Sequence, residues 1–163
     1  MAKSSDVGAP AATSDGDRLE FLPENSLGYL FRDIHRAFSR VLQTRIAAHG
    51  VTIGQWYFLR ALWEEDGLTQ RELSQRVGMM EPTTVTALNG MEKRGYVKRV
   101  RNTTDRRKVN IYLTDLGHSL RPKLLPFAME TNEMAATGVT AKEIEKVRQV
   151  LRHMKKNLED AGH

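Results

Sequence analysis

Eight basic side chains lie between Lys93 and Lys108, and a single carboxylate, that of Asp105, opposes them. The segment reads KRGYVKRVRNTTDRRK, so guanidinium and ammonium groups recur along its whole length. Cationic groups at this density attract polyanions, and they bind phosphate oxygens through charge-assisted hydrogen bonds. The chemistry that this segment favours is therefore the binding of a phosphate backbone.

Polar residues of a second kind precede and overlap it, in a segment that would form a helix from Glu81 to Arg94. A buried stripe of Val85, Leu88 and Met91 would turn the rest of this helix outward. The outward residues would be Pro82, Thr83, Thr86, Asn89 and Gly90, with Thr84 nearer the boundary. Threonine hydroxyls reach base edges or phosphates, threonine methyls pack on thymine methyls, and an asparagine amide pairs bidentately with adenine. The alternative is that the threonines only cap and cover the helix.

The residues before this helix predict the elements that position it. Thr69 and Glu72 form a T-x-x-E capping box at the start of a short helix, which Gly78 ends. Pro82 suits the first turn of the next helix, because its missing N–H is not needed there. The sequence therefore predicts two short helices joined by a turn.

A hairpin follows these helices, and we call it the wing. Tyr96–Arg101 and Lys108–Leu113 alternate like two strands, and the Asn-Thr-Thr-Asp sequence between them favours a turn. Arg106 and Arg107 at the tip would enter a narrow minor groove, where negative potential is concentrated. Asp105 would hold one arginine in place through a charge-assisted bond. The alternative is a solvated charged turn.

Long helices are predicted on both sides of this winged helix-turn-helix portion, at about residues 26–49 and 115–161, with the portion itself at about 52–113. A kink is expected near Pro126. Each flank carries an apolar stripe at helical spacing: Leu27, Leu30, Phe31, Ile34, Phe38, Leu42 and Ile46 in the first, and Ile144, Val147, Leu151, Met154 and Leu158 in the last helix. The two ends of one chain would pack together, or each would intertwine with a second copy. The second arrangement is favoured, because two-fold readers of DNA need a dimer interface.

Composition limits the classes of function. The chain has 163 residues, no cysteine and a net charge of +5. Without cysteine there are no disulfides or thiolate metal sites, and the five histidines show no metal-ligand spacing. No nucleophile–base pair, paired acid motif or glycine-rich phosphate loop appears, so neither an enzyme nor a cofactor is expected.

The ends of the chain and its hydropathy bear on location. Residues 1–17 are small and polar and predict a disordered tail, which leaves 18–163 as a single domain. No apolar run is long enough to span a membrane, and the tail lacks the apolar middle of a signal peptide. We therefore expect a cytoplasmic protein with no membrane partner.

Residues 27–158 resemble the MarR family of winged helix-turn-helix repressors. The specific signs are Leu73–Ser74, Val77–Gly78, Pro82–Thr83, Met91–Gly95 and, most specific of all, Asp105–Lys108 leading into Tyr112–Gly117. The resemblance implies a homodimer that is formed through its terminal helices and reads a pseudo-palindromic operator in double-stranded DNA. It also implies that Asp105 pairs with Arg107 while an arginine enters the minor groove.

The chain departs from the family pattern in two respects. Family recognition helices often carry arginine where this chain has Thr86 and Gly90, so base reading would lean on hydroxyls and DNA shape. The absent cysteines place the chain outside the family's thiol-oxidation sensors. The predicted DNA contacts are Thr69, Gln70, Pro82, Thr83, Thr84, Thr86, Asn89, Arg94, Asp105, Arg106 and Arg107.

The resemblance further implies a site for a small aromatic or phenolic anion between the dimer arms and the reading heads. Basic and aromatic side chains share helix faces in two places, and the candidates are Phe31, His35, Arg36, Arg40, Trp56 and Arg60. They would hold an aromatic acid, or the phosphates of its larger acyl-coenzyme A thioester. The alternative is that the arginines are solvated and paired with Asp33, Glu64 or Glu65, and that Trp56 belongs to the core.

Taken together, these features predict a mainly α-helical, homodimeric, sequence-specific transcriptional regulator that binds DNA. A repressor that a small aromatic or anionic effector releases from its operator is the favoured form. The alternative is a dimeric helical interaction module that keeps the fold and does not read DNA.

Overall fold

The computed structural model describes residues 22–162 of the chain. In this part, six α-helices and two strands follow one another: α1 (Leu27–Ile46), α2 (Ile53–Glu64), α3 (Gln70–Val77), α4 (Glu81–Lys93), β1 (Val97–Arg101), β2 (Val109–Leu113), α5 (Asp115–Ala135) and α6 (Ala141–Ala161). The prediction of a mainly α-helical chain with a two-stranded wing is confirmed. The predicted disordered tail, residues 1–17, lies outside the described residues, and the proposed domain boundaries stay a prediction.

Threonine caps begin four of these helices. Thr69 accepts a hydrogen bond from the backbone N–H of Glu72, whose carboxylate in turn accepts from the N–H of Thr69, which is the predicted capping box. The same reciprocal arrangement starts α2 at Thr52 and α6 at Thr140, and a Thr114 cap starts α5. These hydrogen bonds satisfy N–H groups that a helix start leaves without an intrahelical partner. The sequence thus specifies the helix starts locally.

The core lies between α2, α3, α4, the wing and the first half of α5. Its fully buried large side chains include Phe58, Leu59, Leu73, Leu88 and Ile111. The indole N–H of Trp63 donates to the carbonyl of Gly117 at 3.0 Å, which joins α2 to the start of α5. The core therefore fixes the position of α4 and the wing on one scaffold.

The wing is an antiparallel pair in which Val97 faces Leu113 and Arg101 faces Val109. A third short segment joins it, because the N–H of Gly67 donates to the carbonyl of Ile111 at 3.0 Å and the N–H of Ile111 donates to Leu68 at 2.8 Å. The loop before α3 is thereby tied to the second strand of the wing, an attachment that the sequence pattern does not indicate.

Contacts divide the chain into two units, residues 1–38 and residues 39–163, with the boundary inside α1. In the described part of the first unit, apolar side chains of α1 are exposed, among them Leu27, Leu30, Phe31 and Ile34. In the second unit, α6 buries none of its residues, although it carries the predicted apolar stripe. The two amphipathic flanks therefore each present an apolar face to solvent.

Two further features concern the helices. The helical assignment of α5 continues through both Pro122 and Pro126, so the helix is not broken at the predicted kink. Between residues 22 and 162, no helix combines the length and the apolar character needed to cross a membrane.

Candidate nucleic-acid interface

The turn between α3 and α4 sets how the second helix projects from the body. Gly78 ends α3 in the left-handed region with φ of 69°, a conformation that glycine adopts without steric cost. The N–H of Met79 donates to the carbonyl of Ser74 at 3.1 Å, and the buried hydroxyl of Ser74 donates back to the carbonyl of Met79 at 2.5 Å. These reciprocal bonds hold the start of α4 against the end of α3.

The outward face of α4 carries most, but not all, of the predicted residues. Pro82, Thr83, Thr86 and Asn89 are exposed. Thr84 is fully buried and its hydroxyl donates to the carbonyl of Met80 at 3.2 Å, so its prediction as a DNA contact was wrong. The helix is rotated by about one position from the predicted stripe, since Thr84 joins Leu88 and Met91 inside while Val85 is only half-buried.

Thr86 presents a defined set of atoms to its surroundings. Its hydroxyl donates to the carbonyl of Pro82, four residues back, at 3.1 Å. A hydroxyl has one proton and two lone pairs, so the donor is already used and the lone pairs remain. The outward chemistry of Thr86 is therefore a methyl group and an acceptor.

Asn89 is not a free amide, because a residue of the wing holds it. The Nη2 of Arg99 donates to the Oδ1 of Asn89 at 2.7 Å, and the Nη1 of Arg99 forms an ion pair with Glu92. The guanidinium of Arg99 thus bridges two residues that lie one turn apart on α4. The predicted bidentate pairing of Asn89 with adenine uses the same Oδ1 that Arg99 occupies.

The tip of the wing is organised by two short polar side chains. The Oδ1 of Asn102 accepts hydrogen bonds from the N–H groups of Thr104 and Asp105, both at 2.9 Å. The Nδ2 of Asn102 donates to Asn110, which donates to the carbonyl of Gly67 at 2.6 Å. This chain of amides runs from the tip to the loop before α3 and makes the tip a fixed turn.

Asp105 acts on the backbone of the tip. Its Oδ1 accepts from the backbone N–H of Arg107 at 3.1 Å, and among residues 22–162 no ion pair joins it to a guanidinium. The expected pairing of Asp105 with the side chain of Arg107 is therefore absent from the described part of the structure. The consequence is that both tip arginines are exposed and free to meet an anion.

A groove of about 550 Å³ opens between α3 and the stem of the wing. Its walls are the first turns of α3, the start of α4 at Glu81, and the wing from Arg107 to Val109. Three cations, Arg71, Arg107 and Lys108, and two carboxylates, Glu72 and Glu81, line it. No salt bridge within the described chain engages any of the three cations. A groove with unpaired cations beside an outward helix face has the chemistry of a phosphate-backbone contact.

The two predicted contacts at the start of α3 lie in this groove. Thr69 and Gln70 are half-buried, and the hydroxyl of Thr69 donates to Glu72 at 2.7 Å. The hydrogen bonds from the N–H and hydroxyl of Thr69 lower the pKa of Glu72 below its ordinary value, and nearby Lys108 and Arg76 act in the same direction. What remains for an anion here is the side chain of Gln70 and the backbone N–H groups of the helix start.

Arg94 lies at the opposite end of α4 from Pro82. It follows the last residue of α4, about 18 Å along the helix axis from Pro82. Its guanidinium lies against Gly50, since a Cβ added to that glycine would come within 2.8 Å of the Nη1 of Arg94. The role of Arg94 as a DNA contact stays a prediction.

The predicted effector residues divide between the two units of the chain. Phe31, His35 and Arg36 lie on the exposed part of α1 in the first unit. In the second unit Arg40 is exposed. Trp56 is buried and packs edge-on against Trp63, with 5.6 Å between the two ring centroids, so the alternative that Trp56 belongs to the core is confirmed. Arg60 pairs with Glu64 at 3.3 Å and lies 5.9 Å from the ring of Trp56.

A small cavity of about 210 Å³ adjoins Arg60. It is lined by Tyr57, Arg60, Ala61, Glu64, Arg76 and Val77. The sequence indicated Arg60 here, but it did not indicate Arg76, which reaches this place from α3 and pairs with Glu65 at 2.5 Å. The cavity therefore combines an aromatic residue with two guanidinium groups that are already paired.

The part that sequence reasoning missed is the link between wing and helix. Arg99 counted only as one more cation of the basic segment, yet it contacts Asn89 and Glu92. The available signal was the glycine turn at Gly95, which folds β1 back along the end of α4 and brings residues ten apart together.

A family model and a curated relative both match parts of this chain. Residues 49–108 match the model of the MarR family. The chain is 38% identical over 88 residues to the HTH-type transcriptional regulator TtmR of Methylorubrum extorquens, an alignment that covers 54% of this chain and 45% of the relative. The chain thus spans less than half the length of this curated relative.

Two solved structures resemble the chain over most of its length. A MarR transcriptional regulator from Methanosarcina mazei superimposes with a TM-score of 0.78 at 28% identity, covering 82% of this chain and 96% of that one. The transcriptional regulator PA3341 superimposes with a TM-score of 0.75 at 32% identity, covering 83% and 99% respectively. The similarity therefore extends beyond the matched segment to the flanking helices.

Proposed function

This chain belongs to the MarR family of transcriptional regulators, and we propose that it is a homodimeric repressor that binds a specific DNA sequence. Members of the family regulate transcription and are not enzymes. The observation that carries the proposal is the shared side of α4 and the wing. There an exposed helix face with Thr83, Thr86 and Asn89 adjoins a groove with the unpaired cations Arg71, Arg107 and Lys108.

Each part of this surface has a separate task on duplex DNA. The outward face of α4 would enter the major groove, where donors, acceptors and methyl groups distinguish the base pairs. At the wing tip Arg106 would enter the neighbouring minor groove. The cations of the groove between, Arg71, Arg107 and Lys108, would contact the phosphates. Contacts to phosphates would then position the protein on the duplex, while contacts to base edges would recognise the sequence.

Dimerisation would supply the spacing between two such surfaces. Val147, Val150, Leu151 and Leu158 on α6 are exposed apolar side chains, and so are Leu27, Leu30 and Ile34 on α1. An apolar face of this kind on a long helix is buried against another surface in a stable protein. A two-fold dimer would place its two reading helices about 34 Å apart, which suits a pseudo-palindromic operator.

We further propose that a small aromatic anion releases the repressor. What supports this is the cavity in the second unit that is lined by Tyr57, Arg60 and Arg76. The volume of this cavity, about 210 Å³, is below the roughly 300–1,000 Å³ of pockets that hold drug-sized ligands. An aromatic acid fits that volume, and an acyl-coenzyme A thioester would need additional space from a partner chain. Release requires that the effector bind one spacing of the reading helices more tightly than the other.

The experiment that tests DNA reading starts from the full-length protein and a randomised duplex pool. Repeated selection should enrich a two-fold symmetric sequence, and its affinity should fall steeply as salt is raised, because phosphate contacts release counterions. A pool without enrichment and a flat salt response would support the interaction module without DNA reading.

The effector proposal is tested with the selected duplex in hand. Benzoate, salicylate and 4-hydroxybenzoate are added to the complex, and release is followed by fluorescence anisotropy. We expect at least one of them to release the duplex, and the Arg60→Gln variant to need a higher concentration. If none of these anions changes DNA affinity, the effector class is wrong while the DNA-reading proposal stands.

A further inference from the structure

The side chain of Arg99 connects the wing to the outward face of α4. Its guanidinium donates to the Oδ1 of Asn89 at 2.7 Å and pairs with Glu92. A guanidinium has donors only, so the amide oxygen of Asn89, and not its NH₂ group, must face Arg99. The Arg99 side chain is only 25% exposed, and its planar fork contacts both partners at once, which limits the freedom of all three groups.

We propose that Arg99 is a positioning residue that decides which base Asn89 reads, an inference that rests on the proposed function. With Oδ1 engaged by the wing, the Nδ2 group of Asn89 provides the two hydrogen-bond donors left for the DNA. Guanine presents two adjacent acceptors, O6 and N7, on its major-groove edge, and thymine presents O4. Adenine presents N7 next to the N6–H₂ donor group, which a side chain with only donors does not match. Asn89 therefore reads guanine or thymine.

This assignment differs from what the residue type alone indicates. Asparagine pairs with adenine when its oxygen accepts from N6–H while its nitrogen donates to N7. In this chain Arg99 competes with the adenine for that oxygen, and the ion pair with Glu92 keeps the competing guanidinium in place. A strand residue outside the recognition helix thus changes the preferred base at one operator position.

The same logic separates Arg99 from the other basic residues of the wing. Arg101 lies two residues further along β1, is exposed, and makes no ion pair with any residue between 22 and 162. It provides charge without contacting the reading face. Its loss should weaken binding to all sequences evenly, whereas the loss of Arg99 should alter one position of the recognised sequence.

The test compares base preference among variants of the full-length protein. Duplexes are selected from a randomised pool with the wild type, and the affinity of every single-base variant of the selected sequence is measured. We expect Asn89→Ala to remove the preference at one position of each half-site, and that position to be guanine or thymine in the wild type. Arg99→Gln should reduce discrimination there by about tenfold, mainly by admitting adenine, while Arg101→Gln leaves the pattern of preference unchanged.

Two further variants make the result independent of folding. The double variant Arg99→Gln/Asn89→Ala should behave like Asn89→Ala, because Arg99 acts on base choice only through Asn89. Asn89→Asp leaves Arg99 and Glu92 intact, replaces the outward donors by an acceptor, and should shift the preference toward cytosine or adenine. Thermal unfolding of each variant shows whether it is folded, and if Arg99→Gln is unfolded, the identity of the Asn89-dependent base in the wild type decides.

The outcomes separate this inference from the function on which it rests. If no sequence is enriched at all, the proposed DNA reading fails. If a sequence is enriched but the Asn89-dependent base is adenine, or Arg99→Gln keeps full discrimination in a folded protein, DNA reading stands and the role of Arg99 is overturned. An unchanged preference in Asn89→Asp would equally overturn it.

Discussion

The backbone of Gly117, in the first turn of α5, lies so close to the carbonyl of Tyr96 that a Cβ atom on Gly117 would overlap the carbonyl oxygen. The same Cβ would also stand 3.0 Å from Leu113. The hydroxyl of Thr114 donates to the carbonyl of Gly95 beside this contact, and the indole of Trp63 donates to Gly117 itself. The start of α5, the end of α4 and both wing strands are therefore joined at one point.

We accordingly expect Gly117→Ala to destabilise the protein by about 3 kcal/mol, because backbone cannot move aside as a flexible side chain can. Urea unfolding followed by circular dichroism measures the change. Gly54→Ala is the matched control, since a Cβ there meets nothing closer than 3.9 Å and the residue is in α2. That variant should be as stable as the wild type or more stable, by up to about 1 kcal/mol. Equal stability of the two variants would show that the contact at Tyr96 is not rigid.

Arg107, which lines the groove beside the wing, should contribute charge without sequence preference. We expect Arg107→Gln to lower affinity for all duplexes by a similar factor and to reduce the slope of log affinity against log salt by about 1, because one phosphate contact is lost. Titration of the selected duplex at several salt concentrations gives both quantities. Arg148→Gln removes the same charge from α6, where the arginine lies 3.5 Å from Glu145, and should leave the slope unchanged. A wild-type slope in Arg107→Gln would exclude the residue from the interface.

Thr86 should be read through its methyl group. Because its hydroxyl proton is given to Pro82, the side chain offers a methyl and lone pairs to the DNA. We expect Thr86→Val, which keeps the methyl, to retain the base preference at its operator position. Thr86→Ser should lose about fourfold in discrimination, the value of one buried methyl group. The same single-base duplex series measures both, and the reverse order of the two variants would mean that Thr86 accepts a hydrogen bond from a base.

Low pH should reduce the free energy of unfolding, and protonation of Glu72 should account for part of the reduction. The hydrogen bonds from Thr69 lower the folded pKa of Glu72 below its ordinary value of 4.5. A carboxyl group with a lowered pKa contributes stability that is complete above the ordinary value and is lost as pH falls through the folded pKa. We expect the unfolding free energy to decrease as pH falls below about 4.5, and the decrease to be smaller in Glu72→Gln and in Thr69→Ala. If the unfolding free energy falls equally with pH in all three proteins, the hydrogen bonds between Thr69 and Glu72 do not contribute to the acid dependence of stability.

The sequence predicted the elements well where the signal is local. The capping box at Thr69, the glycine ends and the turn at the wing tip are each specified by neighbouring residues, and the structure confirms them. The family resemblance was likewise carried by short motifs. Local rules suffice for these features because each hydrogen bond joins residues only a few positions apart.

The interface was predicted less completely, because its chemistry depends on contacts between elements. Thr84 is buried because the rotation of α4 about its axis turns Thr84, and not Val85, toward the core. The apolar pattern of the sequence does not fix this rotation to within one residue. The use of Asp105 on the backbone of Arg107, and of Arg99 on Asn89, follows from the path of the wing. The sequence shows which residues carry charge. Only the fold shows which of these charges already pair with another residue of the chain.

The apolar stripe of α6 leads to the last prediction, that a second copy of the chain covers it. Leu151 is 41% exposed in the single chain and lies in line with Val147 and Leu158. A carboxylate at this position would be buried without a partner in a dimer, which costs several kcal/mol. We expect the wild type to sediment as a dimer and Leu151→Glu to sediment as a monomer with greatly reduced affinity for a two-fold operator. Lys142→Glu, on the polar face of the same helix, reverses a charge without touching the stripe and should remain dimeric. If Leu151→Glu sediments like the wild type, the stripe is not the interface, and the reading helices would have to be paired through another surface.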